Sequence, residues 1–293
     1  MHLGGPQLQN RAMPGYTPEL IPAGATFSKF TPPANTGLGF LELVPDADLL
    51  AMADPNDADG DGISGEPNYL ELASFVSPFA NAISQNGKYI HRFGKKAAAY
   101  NLLHQTVNAY NQDIGITSTF SPTDAYTGLN IDPEITNQTV QNVVFYLQTL
   151  KAPIQRNQND AEVLQGKNLF IQSGCENCHK QTLRTGFSSI TPLSNKTFHP
   201  YTDLLLHDMG PGLDDGYTEG NARTFEWRTP PLWGLGLSPN SQGKEYFLMH
   251  DGRARSIEEA IQLHGGEATQ SSHKFNQLTV PEKNALIKFL NSL

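Results

Sequence analysis

The amino-acid sequence predicts a mainly α-helical protein that consists of two tandem modules with long, glycine- and proline-rich loops. Three observations lead to this prediction. Apolar residues recur at helical spacing in several segments. Two segments of the first half are similar in sequence to two segments of the second half. The chain of 293 residues contains 26 glycines and 20 prolines, which favour ordered loops. A polar, unpatterned stretch near residue 155 separates the predicted modules, residues 1–155 and 156–293.

The predicted helices carry apolar residues three or four positions apart, which places these residues on one helix face. They lie at residues 46–53, 97–111, 139–150, 161–172 and 281–293. Residues 1–40 contain six prolines and are predicted to form loop, because proline lacks the N–H group that a helix interior requires.

The echo between the halves consists of a turn and a helix. The turn is Thr-Pro-Pro followed by Gly-Leu-Gly, at residues 31–39 and again at 229–236. The helix ends at residues 144–150 in the first half and at 286–293 in the second. Chance similarity between glycine- and proline-rich loops is the alternative, since such residues mark turns in many proteins.

Cys175, Cys178 and His179 have the spacing of a c-type haem attachment motif. Each thiol can add across one haem vinyl group, and the following imidazole then reaches the iron. Two alternatives remain open for these thiols, the only two in the chain. Half of a zinc site would need two further ligands, and a thioredoxin-like redox pair normally accompanies a βαβ pattern, which the sequence lacks. The motif therefore predicts one covalently bound haem c.

The repeat also predicts a second haem motif outside these residues. Cys175–His179 precedes the echo at Thr229 by about 50 residues, and the same offset before Thr31 falls roughly 20 residues upstream of Met1. We therefore expect the sequence to be the C-terminal part of a two-haem chain.

An acidic loop in the first half resembles part of a calcium-binding loop. Asp57, Asp59, Asp61 and Gly62 match its first, third, fifth and sixth positions. Asn68 stands where that loop carries a bidentate glutamate. A solvated turn rich in aspartate and glycine is the alternative to a calcium site.

Composition excludes several functional classes. The formal net charge of −9 leaves no basic stripe for nucleic acid. No run of about 18 apolar residues exists, so we expect no membrane span. The first residues lack the basic and apolar regions of a signal peptide. Covalent haem attachment in bacteria takes place outside the cytoplasm, so we expect a periplasmic or exported protein whose signal is absent from these residues.

Taken together, the motifs resemble the bacterial di-haem oxidoreductases, a family of peroxidases sometimes labelled thiol oxidoreductases, and more distantly the di-haem cytochrome c peroxidases. The resemblance covers nearly the whole chain. It is carried by residues 37–42, 45–47, 57–65, 113–118, 175–179, 207–210, 227–233, 250–253 and 258–268.

The resemblance implies two cytochrome c-like, mostly helical domains, of which the first is incomplete here. It also implies one haem that binds hydrogen peroxide and a second, six-coordinate haem that relays electrons to it. Cys175–His179 corresponds to the relay haem. A small cytochrome or a cupredoxin is the expected electron donor, and the chain alone is expected to be inactive as a peroxidase.

Site residues follow in part from the same resemblance. His264 stands at the family's sixth-ligand position, with Met249 as the second candidate. Arg228 is expected to bind a haem propionate, because its planar fork matches a carboxylate.

Gln105 and Asp113 stand where the family carries the side chains of its peroxide pocket, and Glu42 is an alternative carboxylate. Peroxide cleavage needs a group that moves a proton between the two oxygens. A second functional hypothesis, a mono-haem electron-transfer module without enzymatic activity, remains open.

Overall fold

The structure, a computed structural model, describes residues 20–124 and 128–293. Its helices are α1 (Leu38–Glu42), α2 (Asp46–Leu50), α3 (Leu102–Asn108), α4 (Asn137–Thr149), α5 (Ala161–Gln172), α6 (Ser238–Ser241), α7 (Ile257–Gln262), α8 (Thr269–Gln277) and α9 (Val280–Ser292). Its strands are β1 (Asn68–Leu70), β2 (Ser84–Gln85), β3 (Lys88–His91), β4 (Leu183–Arg184), β5 (Thr197–Phe198), β6 (Leu206–Asp208) and β7 (Glu226–Arg228).

The prediction of a mainly α-helical fold is wrong. The described chain mixes helices with small antiparallel sheets, ordered β1-β3-β2, β4-β5 and β6-β7. The strands span two to four residues, which is too short for an alternating apolar pattern to be recognised in the sequence. The helix predicted at 97–111 begins only at Leu102, because Ala99 pairs with Phe93 in a β-bridge and Asn101 caps the helix.

In the second half, α5 lies against α9, and their contact forms the largest helix pair of the described chain. Gly166 permits the close approach, since a side chain there would collide with the carbonyl of Ala285. The Asp160 side chain caps the start of α5 by accepting from the N–H groups of Glu162 and Val163. The core between the helices includes Val163, Phe170, Leu286 and Phe289. The helix that leads into the haem motif is thus held by burial along its length.

The predicted echo corresponds to the same backbone contact in both halves. The N–H of Gly37 donates to the carbonyl of Leu150 at 3.1 Å, and the N–H of Gly234 donates to the carbonyl of Leu293 at 3.0 Å. Both glycines have φ near +75°, a backbone conformation that favours glycine. Each turn therefore packs on the end of the last helix of its half.

A second glycine of each turn repeats the arrangement. A side chain on Gly39 would collide with the carbonyl of Gln148, and one on Gly236 would collide with that of Asn291. These matched contacts support two related modules, and the boundary near residue 155 stays a prediction.

Buried contacts tie the two halves together next to the haem motif. Glu66 and Leu206 exchange two backbone hydrogen bonds of 2.9 and 2.8 Å. Lys96 is fully buried, and its ammonium lies 3.7 Å from the centre of the Trp227 ring. It donates to three backbone carbonyls of residues 223–226, so the buried charge is solvated by peptide groups. Within the described ranges, no helix combines the length and the apolarity that a membrane crossing requires.

Candidate haem site

The haem motif lies on a tight turn directly after α5. Gly174 has φ of +81° and starts a single 3₁₀ turn over Cys175–Asn177. The backbone N–H of His179 then donates to the carbonyl of Cys175 at 3.0 Å. This turn brings both thiols and the imidazole to one end of α5, as covalent haem attachment requires.

The two cysteines are free thiols and partly buried. Burial raises the pKa of Cys175 to about 12, and burial raises the pKa of Cys178 as well. Reactive redox cysteines have a lowered pKa, so these thiols do not have the properties of a thioredoxin-like pair. Among the described residues, a possible metal-binding group includes Cys178 but not Cys175, which disfavours a zinc site that uses both.

His179 is fixed by a backbone hydrogen bond. Its Nδ1 lies 3.0 Å from the carbonyl oxygen of Tyr201. A carbonyl can only accept, so Nδ1 carries the hydrogen and Nε2 keeps a lone pair. Burial lowers the pKa of His179 to about 4, which keeps the imidazole neutral. A neutral imidazole with a free Nε2 is the form that binds iron.

His264 is held by a backbone carbonyl in the same way. It follows the end of α7, and its Nδ1 lies 2.7 Å from the carbonyl oxygen of Ala260. Burial lowers the pKa of His264 too. Besides burial, the neighbouring His264 imidazole lowers the pKa of His179.

These donors fit a haem c. The site offers two thiols at the required spacing and two neutral imidazoles, each held through Nδ1 with Nε2 available. Both imidazoles keep some solvent-accessible surface. Met249, the second candidate ligand, lies in the loop between α6 and α7 with φ of +69°.

Arg228 and Lys95 are neighbouring cations, and Arg228 pairs with Leu206 between β7 and β6. Arg228 donates from Nε to the carbonyl of Gly94 and from Nη1 to that of Thr229. Burial lowers the pKa of Arg228 to about 10. Burial and the charge of Arg228 lower the pKa of Lys95 to about 8. Within the described residues neither side chain has an ion-pair partner, so both retain N–H donors for an anion such as a propionate.

Sequence reasoning missed a buried cluster that touches the motif. His207 lies between the carboxylates of Asp203 and Glu267, at 2.9 and 2.7 Å, and its Nδ1 is 3.5 Å from the sulfur of Cys178. No local pattern in the sequence indicated either carboxylate partner. The sequence signal that could have indicated this cluster is Glu267, which lies three positions after His264.

The residues predicted for the peroxide pocket lie on one irregular helical segment. Gln105 is in α3, and its buried Oε1 has no hydrogen-bond partner among the described residues. Asp113 ends the π-helical turn Ala109–Asp113 that continues α3, a kind of turn that is frequent at functional sites. Burial raises the pKa of Asp113, which favours a carboxyl that can hold a proton.

Glu42, the alternative carboxylate, is occupied by structural contacts. It accepts from the N–H of Leu102 at 2.7 Å and from the amide of Gln148 at 2.7 Å. Burial raises its pKa. These contacts join α1, α3 and α4, so Glu42 serves the packing of the first half.

The acidic loop brings together a different set of carboxylates from the predicted one. Asp54, Asp57 and Asp59 offer oxygens that all lie within 4.8 Å of one another. Asp61 instead accepts from the side-chain amide of Asn177 at 3.2 Å. Asn177 belongs to the haem motif, so the acidic loop contacts that motif directly.

A comparison of the sequence with protein families identifies its relatives. The family described as "Di-haem oxidoreductase, putative peroxidase" matches residues 29–293, which is most of the chain. The chain belongs to this family. The match supports haem as a cofactor and oxidoreductase chemistry, and it agrees with the resemblance read from the motifs. No curated protein matches the chain.

Among solved structures, the chain is similar to hydrazine synthase from Kuenenia stuttgartiensis, studied under 20 bar of xenon. The two are 16% identical, with 99% of this chain and 100% of that chain covered, at a TM-score of 0.39. A likeness at this level carries no argument about fold or activity here.

Proposed function

We propose that the chain binds one haem c through Cys175 and Cys178, that His179 and His264 would serve as its iron ligands, and that the bound haem would relay electrons. The observation that carries the proposal is the matched pair of neutral imidazoles, each with Nδ1 bound to a backbone carbonyl. When bound, the haem supplies a one-electron couple, and ligation by two histidines gives a lower reduction potential than histidine and methionine.

The residues of the chain have distinct roles in this proposal. His179 and His264 present Nε2 lone pairs, and the carbonyls of Tyr201 and Ala260 hold the rings in the required tautomer. Arg228 donates to a haem propionate from the N–H groups that its backbone contacts leave free. A one-electron relay gains from such preorganisation, because fixed ligands change little between the oxidised and reduced states.

The proposed reaction of the complete enzyme is the reduction of hydrogen peroxide. Support comes from the family description and from the segment that holds Gln105 and Asp113. In this proposal Asp113 moves a proton between the peroxide oxygens, and Gln105 orients peroxide through its unpartnered Oε1. This site needs a second haem, for which the chain carries no further cysteine pair.

The ligand assignment is tested by substituting each candidate. In haem-loaded chain, His264→Ala should convert the ferric haem from low-spin to high-spin, because the iron loses its sixth ligand. Met249→Ala is the matched control and should leave the spectrum low-spin. A low-spin His264→Ala spectrum together with a high-spin Met249→Ala spectrum would transfer the ligand role to Met249.

The proposal includes an electron donor, a small cytochrome or cupredoxin, and export to the periplasm or beyond. The proposal also includes a calcium site in the acidic loop. Its ligands are Asp57 and Asp59, together with Asp54 and, after a small rearrangement, Asp61. Calorimetry with calcium should show binding in the millimolar range or tighter, as in extracellular sites. The same titration of Asp57→Asn should show none, and an absence of heat in both chains would leave the loop as a turn.

A mono-haem electron-transfer module remains the second candidate, and the isolated haem motif favours it for the chain by itself. Because the peroxide site needs a second haem, peroxide turnover by the protein with both haems bound distinguishes the two functions. Turnover that Asp113→Asn abolishes supports the peroxidase. Electron exchange with a small cytochrome in the absence of turnover supports the module.

A further inference from the structure

The cluster around His207 has an unusual protonation state for a buried imidazole. Its Nε2 lies 2.9 Å from Asp203 Oδ2, and its Nδ1 lies 2.7 Å from Glu267 Oε2. Ionised carboxylates only accept hydrogen bonds, so both ring nitrogens must donate and the ring is an imidazolium. The side chain is only 3% exposed. Burial alone would lower its pKa, but Asp203 and the hydrogen bonds raise it well above the usual value.

The imidazolium contacts two segments of the haem site. Its Nδ1 is 3.5 Å from the sulfur of Cys178, which precedes the ligand His179. It also holds Glu267, which lies three positions after His264 on the short turn Gly266–Ala268. A single side chain therefore contacts the haem motif and the segment that carries His264.

Glu267 is the side chain best placed to anchor that turn. Gly265, Gly266 and Ala268 carry no polar side chain. The turn fits closely against β6, since a side chain on Gly266 would collide with the carbonyl of Asp208. The second carboxylate oxygen of Glu267 accepts from the hydroxyl of Ser64, at the end of the acidic loop. The carboxylate thus joins the turn to β6 and to the first half of the chain.

Net stabilisation is a weak explanation for such a cluster. Removing three charged groups from water offsets most of the gain from their attraction, and apolar residues of similar volume often stabilise a fold as well. What charged, hydrogen-bonded groups supply in addition is a defined geometry, because each contact has a fixed direction and length. The two segments that this geometry fixes are the ones that present His179 and His264.

We propose that His207 is a positioning residue of the haem site, which holds the turn behind His264 through Glu267 and the attachment motif through Cys178. The inference rests on the proposed function, in which His264 is the sixth ligand. We call the contacts of His207 with Glu267 and Cys178 the clamp. Loss of the clamp releases the His264 segment without removing His264 itself, so we expect a weaker bond between the iron and its sixth ligand.

The test uses haem-loaded full chain and the ratio of low-spin to high-spin ferric haem. Glu267→Ala should lower this ratio by about tenfold or more, the effect of losing one charge-assisted hydrogen bond. Glu267→Gln keeps an oxygen that accepts from Nδ1, so it should lower the ratio less. This second variant keeps the test decisive if Glu267→Ala does not fold, since an unchanged ratio in Glu267→Gln would then contradict the proposal.

The control breaks another buried ion pair, away from the haem motif. Arg92 and Asp46 are paired and almost fully buried in the first half. Asp46→Asn should lower the free energy of unfolding and leave the spin ratio unchanged. A low-spin Glu267→Ala chain that loses as much stability as Asp46→Asn would overturn the inference.

His264→Ala serves as the reference for full loss of the ligand. If it is high-spin while Glu267→Ala stays low-spin, only the clamp is refuted. If His264→Ala itself stays low-spin, the ligand assignment and the inference fail together. The two failures are thereby distinguished in one series of spectra.

Discussion

The two halves of the molecule repeat one contact in different surroundings. In each half a glycine turn packs on the end of the last helix, α4 in the first and α9 in the second. Four residues before the contacted carbonyl, α9 carries Phe289, which is 0% exposed and lies in the core with α5. At the same place α4 carries Tyr146, which is 60% exposed in the described structure.

The difference shows which part of the repeat depends on the haem-bearing helix. The turn and the terminal helix associate in both halves, so this contact does not need such a helix. The helix face that carries Phe289 in α9 and Tyr146 in α4 is buried only in the second half, where α5 lies against it. Experiments that compare equivalent positions can therefore separate the packing of the repeat from the packing of the haem helix.

The largest difference in the free energy of unfolding is expected between Phe289 in α9 and Tyr146 in α4. Phe289→Ala should lower the free energy of unfolding by about 3–5 kcal/mol, as for other buried aromatic side chains. Tyr146→Ala should change it by about 0.5 kcal/mol or less. Urea unfolding of both variants measures the two values, and equal losses would contradict the comparison.

Buried neutral imidazoles occur in both halves, and in the first half they predict acid sensitivity. Burial lowers the pKa of His91 to about 4, whereas an unfolded histidine titrates near 6.5. As the pH falls from about 6.5 to about 4, the unfolded chain binds a proton that the folded chain does not bind. The free energy of unfolding should therefore fall by at most about 3 kcal/mol from this group.

The variant His91→Asn isolates that contribution, because its amide can still donate to the carbonyl of Tyr89. Urea unfolding at pH 7.5 and at pH 4.5 should show a smaller loss on acidification than in the wild-type chain. Identical losses in the two chains would show that His91 already binds a proton when folded.

Equal effects are expected where the halves share the glycine contact. Gly39→Ala and Gly236→Ala should each lower the free energy of unfolding by about 1–3 kcal/mol, because the added methyl group overpacks the site. Gly212→Ala is the control, since no atom lies within 4 Å of the added carbon. Thermal unfolding of the three variants tests this, and tolerance of Gly39→Ala alone would break the equivalence.

The smallest effect concerns the caps of the terminal helices. Thr136 caps α4 and Thr279 caps α9, and each hydroxyl accepts from a backbone N–H in the first turn. Replacement of either threonine with alanine should cost about 1 kcal/mol. Thr279 also takes part in a reciprocal contact with Glu282, so its loss in urea unfolding should be the larger of the two. A larger loss at Thr136 would contradict this ranking.

Sequence reasoning identified the features that depend on local spacing. Cys175–His179, the glycine turns and the terminal helices could be predicted because their residues lie close together in the chain. The short strands could not, since two to four residues are too few to show a period. The helix predicted from residue 97 was too long because the bridge between Phe93 and Ala99 competes with it.

The buried clamp and the altered acidic loop depend on contacts between distant residues. Glu267 meets His207 across 60 positions of sequence, and Asp61 meets Asn177 across 116. Neither pair has a local pattern, and each carboxylate taken alone looks like an ordinary surface residue. The resemblance to a family supplied His264, which spacing alone would have left among several candidates.

The central claim is that one haem is covalently attached in the second half. It is tested most directly by the intact mass and pyridine haemochrome spectrum of the chain produced in a host that attaches haem c. We expect a mass increase of one haem and a spectrum of two thioether bonds, both lost when Cys175 and Cys178 are replaced with alanine. Haem that dissociates under denaturing conditions, or an unmodified chain from a host that attaches haem to a control cytochrome, would show that haem is not covalently attached.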